Sequence, residues 1–256
     1  MPRKPSKPTV VLSVDWDYFF PDTAVYDWGH AETNPLFFDM VWQTRPGAHD
    51  VLKPNNPVAI DAMWPSGHQP FWNGIVARGA KKLLLAESHS SILDFVGERK
   101  NLIIHNVDAH HDLGYGKGDD GTRMPDCGNW GATLIQRGQV AEYHQHWPTW
   151  RKDAPETKPA FSQATFDFDP PTGLKPDLVF VCRSSCWCPP WADHDWMGFI
   201  GGAMLHCRRA KALAVQYVME PRKLDEKAAR EIASQMRSLQ DLLVTKQAAQ
   251  MSATNA

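Results

Sequence analysis

The sequence lacks long hydrophobic runs and lacks a net charge of either sign. Its 256 residues include 27 Lys and Arg against 29 Asp and Glu, a formal charge of -2, so no overall attraction draws the chain to nucleic acid. The longest apolar runs, 9–14 and 178–182, have the length of strands and fall short of the roughly 20 residues that span a bilayer. We therefore expect neither nucleic-acid nor membrane partners.

Cysteine is also scarce. The chain has five cysteines, an odd number that does not match the disulfide framework of a small secreted domain. Cys182, Cys186 and Cys188 lie close together, but no second pair of cysteines or histidines stands at zinc-site spacing, which favours buried thiols over a metal site. Residues 1–8 are basic and proline-rich and lack the apolar core of a secretory signal. These features predict a cytoplasmic protein.

The length and the absence of an internal repeat predict a single domain over residues 1–256, with flexible ends. The segment from about 21 to 70 differs from the rest because it is rich in Pro, Trp and Phe and has little periodicity. We interpret it as an irregular insertion, either a lid or substrate-binding loop or a structural cover of the sheet edge.

Continuous apolar runs predict strands that are buried on both faces, as in a parallel sheet. These runs occupy residues 10–14, 82–85, 102–107, 177–182 and 213–218. Helical stretches at 92–96 and 201–212 lie between them, and an amphipathic pattern at 223–247 predicts a further helix, whereas 152–171 reads as a loop. The alternation predicts an α/β domain with three α/β/α layers and a mostly parallel central sheet.

Three predicted strands are followed by side chains that bind divalent metals. The candidates are Asp15 and Asp17 after the first strand, His89 after the second, and Asp108, His110 and Asp112 after the third. Open α/β sheets bind ligands at the carboxyl ends of their strands, so these side chains are expected to meet. Carboxylates mixed with imidazoles suit an ion such as Mn²⁺, and six ligands are too many for one tetrahedral zinc.

The spacing of Asp108, His110 and Asp112 places all three on one side of an extended segment. A lone Asp-x-Asp is more often a solvated turn, and a lone histidine more often packs as an ordinary side chain. Two carboxylates and an imidazole directly after a buried strand are costly without a cation, which favours metal binding. Two such ions about 3.5–4 Å apart would activate a water for hydrolysis.

The same residues resemble motifs of the arginase, agmatinase and related ureohydrolase family. Residues 108–112 (DAHHD) are similar to its Asp-Ala-His-x-Asp motif, and residues 13–17 (SVDWD) to its Ser-x-Asp-x-Asp motif. Residues 87–90 (ESHS) keep the histidine and serine of its Gly-Gly-Asp-His-Ser motif. The resemblance implies an arginase-like fold with two Mn²⁺ ions. It implies that Asp15 and Asp108 bridge the ions, that His89 and Asp112 complete one site, and that Asp17 and His110 complete the other.

Two later segments resemble substrate-binding parts of the family. Residues 127–129 (CGN) look like the Ser-Gly-Asn stretch that recognises the α-amino-acid end of arginine, which implies substrate contacts from Asn129 and the adjoining Trp130. Residues 218–221 (VMEP) look like the Met-Glu-Val-Asn-Pro segment whose glutamate pairs with the guanidinium, which implies that role for Glu220. The resemblance implies Asp15, Asp108, His111 and Glu220 as catalytic residues.

The chain departs from the family pattern in three places. The Asp-x-Asp motif comes first instead of late, which implies a permuted strand order. The family's proton-carrying His-Gly is Trp130-Gly131 here, so His111 or His144 is expected to take its place. The carboxylate of the family's Asp-x-x-Asp-Pro is Phe20, followed by Pro21.

The short length, the altered 127–129 segment and the aromatic 21–70 segment resemble small enzymes that convert arginine to ornithine within peptides. Trp28, Trp42, Trp64 and Trp72 are expected either to form walls for a peptide or to belong to the core. The alternatives are an ureohydrolase of free arginine or agmatine, a single-zinc amide deacetylase of the same fold, and a metal-stabilised protein that binds peptides without catalysis. The oligomeric state is left open.

Overall fold

The computed structural model describes the sheet, most of the connections at its carboxyl edge and the helices that cover it. The described residues are 7–21, 41–42, 63–75, 80–115, 124–153, 163–168, 174–207, 212–215, 222, 226–232, 234–235, 238, 241–242 and 245–246. They include all six predicted metal ligands. Glu220, Trp28 and most of the 21–70 segment lie outside them.

The described strands form one sheet in which every neighbouring pair is parallel. The strands are β1 (Thr9–Asp15), β2 (Lys82–Ala86), β3 (Leu102–Val107), β4 (Val140–Trp147), β5 (Gln163–Phe166), β6 (Leu178–Cys182) and β7 (Ala212–Val215). Their order across the sheet is β5-β4-β3-β1-β6-β2-β7. The predicted parallel sheet is confirmed, and the carboxyl ends of the strands share one edge.

Helices cover both faces of the sheet and complete the predicted three layers. Helices α1 (Ile92–Val96) and α2 (Trp130–Gln136) lie on one face, and α3 (Asp193–His206) lies on the other. Successive side chains of a strand point to opposite faces. Accordingly Val11 of β1 packs with α1 and α2, whereas Leu12 packs with α3.

The two strands at one side of the sheet, β4 and β5, were not predicted. Strand β4 has the mixed sequence VAEYHQHW, in which hydrogen-bonded histidines and Gln145 are buried in place of an apolar run. Strand β5 lies inside the segment 152–171 that was predicted as a loop, and three of its four residues are exposed. The loop prediction was wrong there because an edge strand with exposed polar side chains lacks the apolar signal on which strand prediction depends.

Helix α3 begins at Asp193, eight residues before the helix predicted from residue 201. Trp196, Phe199 and Ile200 have helical spacing and are buried against the sheet. The glycines at 198, 201 and 202 weaken this pattern because glycine is a poor helix former. Packing against the sheet therefore overrides a low intrinsic propensity.

Two of the candidate wall tryptophans belong to the core. Trp42 is fully buried with Met63, Trp191 and Ala229, and Trp72 is buried beneath α3. The described residues between 226 and 246 are helical, as their amphipathic pattern predicts. None of the helices in the described ranges has both the length and the apolarity needed to cross a bilayer.

Helix α2 begins in close contact with the loop that follows β3. The backbone N–H of Gly131 donates to the carbonyl oxygen of Asp112 at 3.0 Å. A Cβ atom at position 131 would lie 2.7 Å from Leu113 Cδ2 and 3.0 Å from both Asp112 O and Tyr143 Cε2. The close approach of helix and loop therefore requires glycine at this position.

We expect Gly131→Ala to lower the free energy of unfolding by about 1–3 kcal/mol, because the added methyl group overpacks the contact between α2 and the loop. Gly198→Ala is the matched control, since a Cβ there meets no atom within 4 Å and alanine favours a helix by roughly 0.5–1 kcal/mol. Urea denaturation measures both variants. Equal stability of the two would contradict the close contact.

Candidate metal centre

The six predicted ligands lie together at the carboxyl edge of the sheet. Asp15 ends β1, Asp17 lies in the short 3₁₀ helix Trp16–Phe19 that follows, and His89 begins the 3₁₀ helix His89–Ser91 after β2. The remaining three ligands follow β3. Strand β1 pairs with β3 on one side and with β6 on the other. The strand order therefore brings together ligands that are far apart in sequence. The first, Asp15, and the last, Asp112, are separated by 97 residues.

The first group of ligand atoms surrounds the Nδ1 atom of His89. This atom lies 3.0 Å from Asp15 Oδ2, 3.2 Å from Asp108 Oδ2 and 3.0 Å from Asp112 Oδ2. Neighbouring ligands of a divalent ion are about 3 Å apart, because metal–ligand bonds of roughly 2.0–2.3 Å meet at angles near 90°. The spacing of these four atoms therefore fits a bound divalent cation.

The second group shares Asp108 with the first. His110 Nδ1 lies 2.7 Å from Asp17 Oδ2 and 3.7 Å from Asp108 Oδ1. Asp108 thus directs Oδ2 to the first group and Oδ1 to the second, as a bridging carboxylate does. The side chain of His110 is 15% exposed, whereas Asp17 and Asp108 are 1% exposed, so the centre is most accessible on the His110 side.

Two hydrogen bonds fix the orientation of the first group. His89 Nε2 lies 2.7 Å from Ser13 Oγ, and donation from Nε2 leaves the lone pair of Nδ1 directed at the carboxylates. Asp15 Oδ2 accepts a hydrogen bond from Ser184 Oγ. Ser184 follows β6, the strand between β1 and β2, and its backbone φ is +47°. Non-glycine residues at positive φ are frequent at functional sites.

Ser184 was not among the predicted site residues. Its sequence signal is a polar residue two positions after the buried run 178–182, an arrangement similar to that of Asp15 and Asp17 after the first strand. The sequence does not show that β6 lies beside β1, which is what brings Ser184 within reach of that carboxylate.

Trp130 and Asn129, the predicted substrate contacts, lie in the interior of the protein. Both side chains are completely buried. Trp130 Nε1 donates to Asp112 Oδ2 at 2.6 Å, and its ring lies 4.8 Å from the His89 ring. Asn129 Oδ1 accepts from the backbone N–H of Asp126 at 2.9 Å. Trp130 therefore supports a ligand, and Asn129 stabilises the turn before α2.

The two histidines considered as proton carriers have different environments. The backbone N–H of Leu113 donates to His111 Nδ1 at 3.0 Å, and the ring stacks on Tyr115 at 4.3 Å, so the neutral ring carries its proton on Nε2. His144 Nε2 lies 2.8 Å from Glu142 Oε2, and its ring stacks on His105 of β3. His105 is buried as expected. Since His144 packs along β3 and β4, His111 is the better placed of the two.

Burial raises the pKa of three carboxyl groups of the centre, those of Asp17, Asp108 and Asp112. Burial, with the charges of Asp15 and Asp108, raises the pKa of Asp17 to about 8. Burial, with the charges of Asp112 and Asp15, raises the pKa of Asp108 to about 7. Burial alone would lower the pKa of His89, but the three surrounding carboxylates raise it well above its ordinary value. The metal-free centre thus retains protons where a cation would otherwise balance the charge.

A chain of buried ion pairs lies beside the centre. Arg183 Nε donates to Glu87 Oε2 at 2.9 Å, and its Nη1 donates to Asp193 Oδ2 at 3.4 Å. Arg222 Nη2 donates to Asp193 Oδ1 at 2.7 Å, and its Nη1 donates to the carbonyl oxygen of Ser185. These contacts join the connections after β2 and β6 to residue 222, and they match each arginine with a carboxylate.

Comparison of the chain with protein-family models, with curated proteins and with solved structures found no match. The functional interpretation therefore rests on the geometry of the centre and on the motif resemblance.

We expect Trp130→Phe to weaken manganese binding about 10- to 100-fold, because it removes the hydrogen bond that orients Asp112. Trp196→Phe is the matched control, since this buried indole Nε1 has no hydrogen-bond partner among the described residues and lies in α3. Calorimetric titration of the metal-free protein with Mn²⁺ measures the affinity. An equal loss of Mn²⁺ affinity in the two variants would show that the hydrogen bond from Trp130 does not orient Asp112 for metal binding.

The raised pKa values of Asp17 and Asp108 predict that the metal-free protein loses stability as the pH rises. Their folded values of about 8 and about 7 exceed the ordinary value of 3.8, so the folded state binds more protons than the unfolded state between these limits, and stability falls with increasing pH. Mn²⁺ should remove or reverse this slope by replacing the protons. Thermal unfolding between about pH 7 and 8.5 measures the effect with EDTA and with Mn²⁺, because at lower pH the buried His105 and His146, whose pKa values are lowered to about 4 and about 3, contribute a slope of opposite sign. Identical slopes would contradict a metal-coupled centre.

Proposed function

We propose that this protein is a dimanganese hydrolase that converts arginine side chains of a peptide to ornithine with release of urea. The observation that carries the proposal is the position of Asp108, whose two oxygens face two different buried groups of ligand atoms. A structural or single-zinc site has its ligands around one ion, so a shared carboxylate supports a two-ion hydrolytic centre.

The chemical types of the candidate ligands determine which ions are proposed. One ion would be held by Asp15, His89, Asp108 and Asp112, and the other by Asp15, Asp17, Asp108 and His110. Carboxylates and imidazoles suit Mn²⁺, and four carboxylates balance the charge of two divalent cations. When bound, such ions lower the pKa of a water towards neutrality and stabilise developing negative charge.

The surrounding charges favour a cationic substrate. Arg183 and Arg222 are engaged by Glu87 and Asp193, so their positive charge is balanced within the protein and does not create a field that attracts anions. Trp187 lies beside the centre, with its ring 4.9 Å from that of His110. An aromatic wall beside carboxylates suits the planar guanidinium of arginine.

Two of the protein's own residues are assigned the remaining roles. His111 would carry the proton to the departing amine, since its position beside two ligands and its protonated Nε2 suit a proton carrier. Glu220 would pair with the guanidinium, as the family resemblance implies. This residue lies two positions before Arg222, which is anchored to Asp193 at the edge of the sheet, and that anchor supports a role for the segment near the centre.

A peptide substrate is supported by the burial of Asn129. The resemblance assigns this position to recognition of the α-amino-acid end of free arginine, but the side chain has no exposed surface. A substrate in which peptide bonds replace the free α-amino and α-carboxylate groups does not require that contact. The same observation disfavours free arginine as the substrate.

We expect the manganese-loaded protein to release urea from an arginine-containing peptide with blocked ends, and to release much less from free arginine. Asp108→Asn should lower this activity at least 1000-fold and reduce the metal content from two ions per chain, because an amide is a poor bridging ligand. Asp94→Asn makes the same chemical change at an exposed residue of α1 and should retain both properties. Urea assays and metal analysis on the same samples measure the outcome.

Other results would overturn parts of the proposal in distinct ways. Urea from free arginine alone would identify an ordinary ureohydrolase. Hydrolysis of an acetyl-lysine peptide by protein with one zinc per chain would identify an amide deacetylase. Two bound ions without hydrolysis of any of these substrates would identify a metal-stabilised binding protein.

A further inference from the structure

A groove of about 380 Å³ lies at the carboxyl edge of the sheet, where residues that follow β1, β4 and β5 line it. Its lining is mostly aromatic and proline, and includes Tyr18, Phe71, Pro148, Trp150, Asp167 and Phe168. The rings of Phe71 and Phe168 stack at 5.5 Å. The groove therefore offers apolar walls to a side chain that is bound nearby.

The walls of the groove are joined directly to the metal centre. Tyr18 is the residue after the candidate ligand Asp17. Trp150 precedes Arg151, whose Nε donates to the carbonyl oxygen of Ala109 at 2.9 Å, and Ala109 lies between Asp108 and His110. Two connections therefore link the walls of the groove to the candidate ligands.

Asp167 is the one carboxylate among the described residues that line the groove. Its Oδ1 accepts hydrogen bonds from the Phe168 backbone N–H at 2.9 Å and the Tyr18 hydroxyl at 3.4 Å. Its Oδ2 accepts none from the part of the chain that the structure describes. Lys152, the nearby cation, lies over the ring of Phe166 at 6.0 Å and forms no ion pair with Asp167 within the same ranges. Asp167 is an exposed residue, so these contacts orient its carboxylate while Oδ2 faces solvent or a ligand.

We propose that this groove binds a second basic side chain of the peptide substrate, close in sequence to the arginine that is hydrolysed. The inference rests on the proposed function. A lysine or arginine side chain has an aliphatic stem that packs on aromatic and proline walls and a charged end that donates to a carboxylate. An apolar side chain would fill the same walls but would gain no contact from the exposed Asp167 carboxylate.

The reach of a peptide is consistent with this placement. An extended chain advances about 3.3–3.6 Å per residue, and a lysine side chain adds roughly 6 Å to the reach of its residue. A basic residue one to three positions from the arginine can therefore enter a groove that has Tyr18, the residue after Asp17, in its wall. The groove would select peptides with two nearby basic residues.

The test compares blocked peptides that carry arginine and either lysine or norleucine at positions one to three residues away. Norleucine has nearly the same aliphatic stem as lysine and lacks the charge. We expect KM for urea release to be about three- to tenfold lower for the best lysine peptide than for its norleucine partner, the range of a partly exposed charge-assisted hydrogen bond. Asp167→Asn should bring this ratio to about one. The asparagine keeps an oxygen for the contacts from Tyr18 and Phe168.

Asp94→Asn is the control for a lost surface charge and should keep the wild-type ratio. The lysine preference should also shrink as salt increases in the wild type and not in Asp167→Asn. Urea release with equal KM for all peptide pairs, or a lysine preference that survives Asp167→Asn, would overturn the groove assignment while leaving the proposed hydrolysis intact.

A direct binding measurement separates the two proposals. An arginine-free lysine peptide and its norleucine partner are titrated into the metal-loaded protein by calorimetry, with Asp167→Asn in parallel. Tighter binding of lysine that requires Asp167 would support the groove even if no peptide releases urea. Equal binding of the two peptides, or preference for norleucine, would show that the groove accepts an apolar side chain instead.

Discussion

The burial of four carboxylates at one edge of the sheet is the constraint on which the rest of the structure depends. Asp17 and Asp108 are almost completely buried within the centre, and like charges at this separation repel strongly where water is excluded. Protonation of Asp17, Asp108 and His89 relieves the repulsion in the absence of a metal ion. Divalent cations bound by these side chains would relieve it without removing the charges, and metal binding would then be coupled to folding.

Three of the six candidate ligands accept or share a hydrogen bond with a residue of another element. Ser184 after β6 contacts Asp15, Trp130 of α2 contacts Asp112, and Ser13 of β1 contacts His89. Hydrogen bonds of this kind orient ligands and keep a site in one geometry before the metal arrives. The parallel sheet makes this arrangement available because it aligns the carboxyl ends of strands that are far apart in sequence.

Charged side chains also determine the electrostatic environment of the centre. The arginines next to it are matched with buried carboxylates, whereas Asp167 in the adjoining groove keeps an available oxygen. A site surrounded in this way suits a substrate that carries positive charge at the reacting group and at a neighbouring residue. The two proposals therefore share one electrostatic basis, although they are tested by separate measurements.

The sequence by itself determined the five apolar strands, the three-layer class and the six ligand candidates, because a buried strand followed by carboxylates and histidines has a local signal. The tertiary structure decided what depends on neighbours in space. Trp130 reads as a substrate contact in sequence but supports Asp112 in the fold, and Ser184 becomes a site residue only because β6 lies beside β1. Strand β4 was not predicted because buried, hydrogen-bonded polar side chains replace the apolar pattern, and β5 was not predicted because most of its side chains are exposed. Pairing between distant segments carries no local signal, so only the folded sheet reveals it.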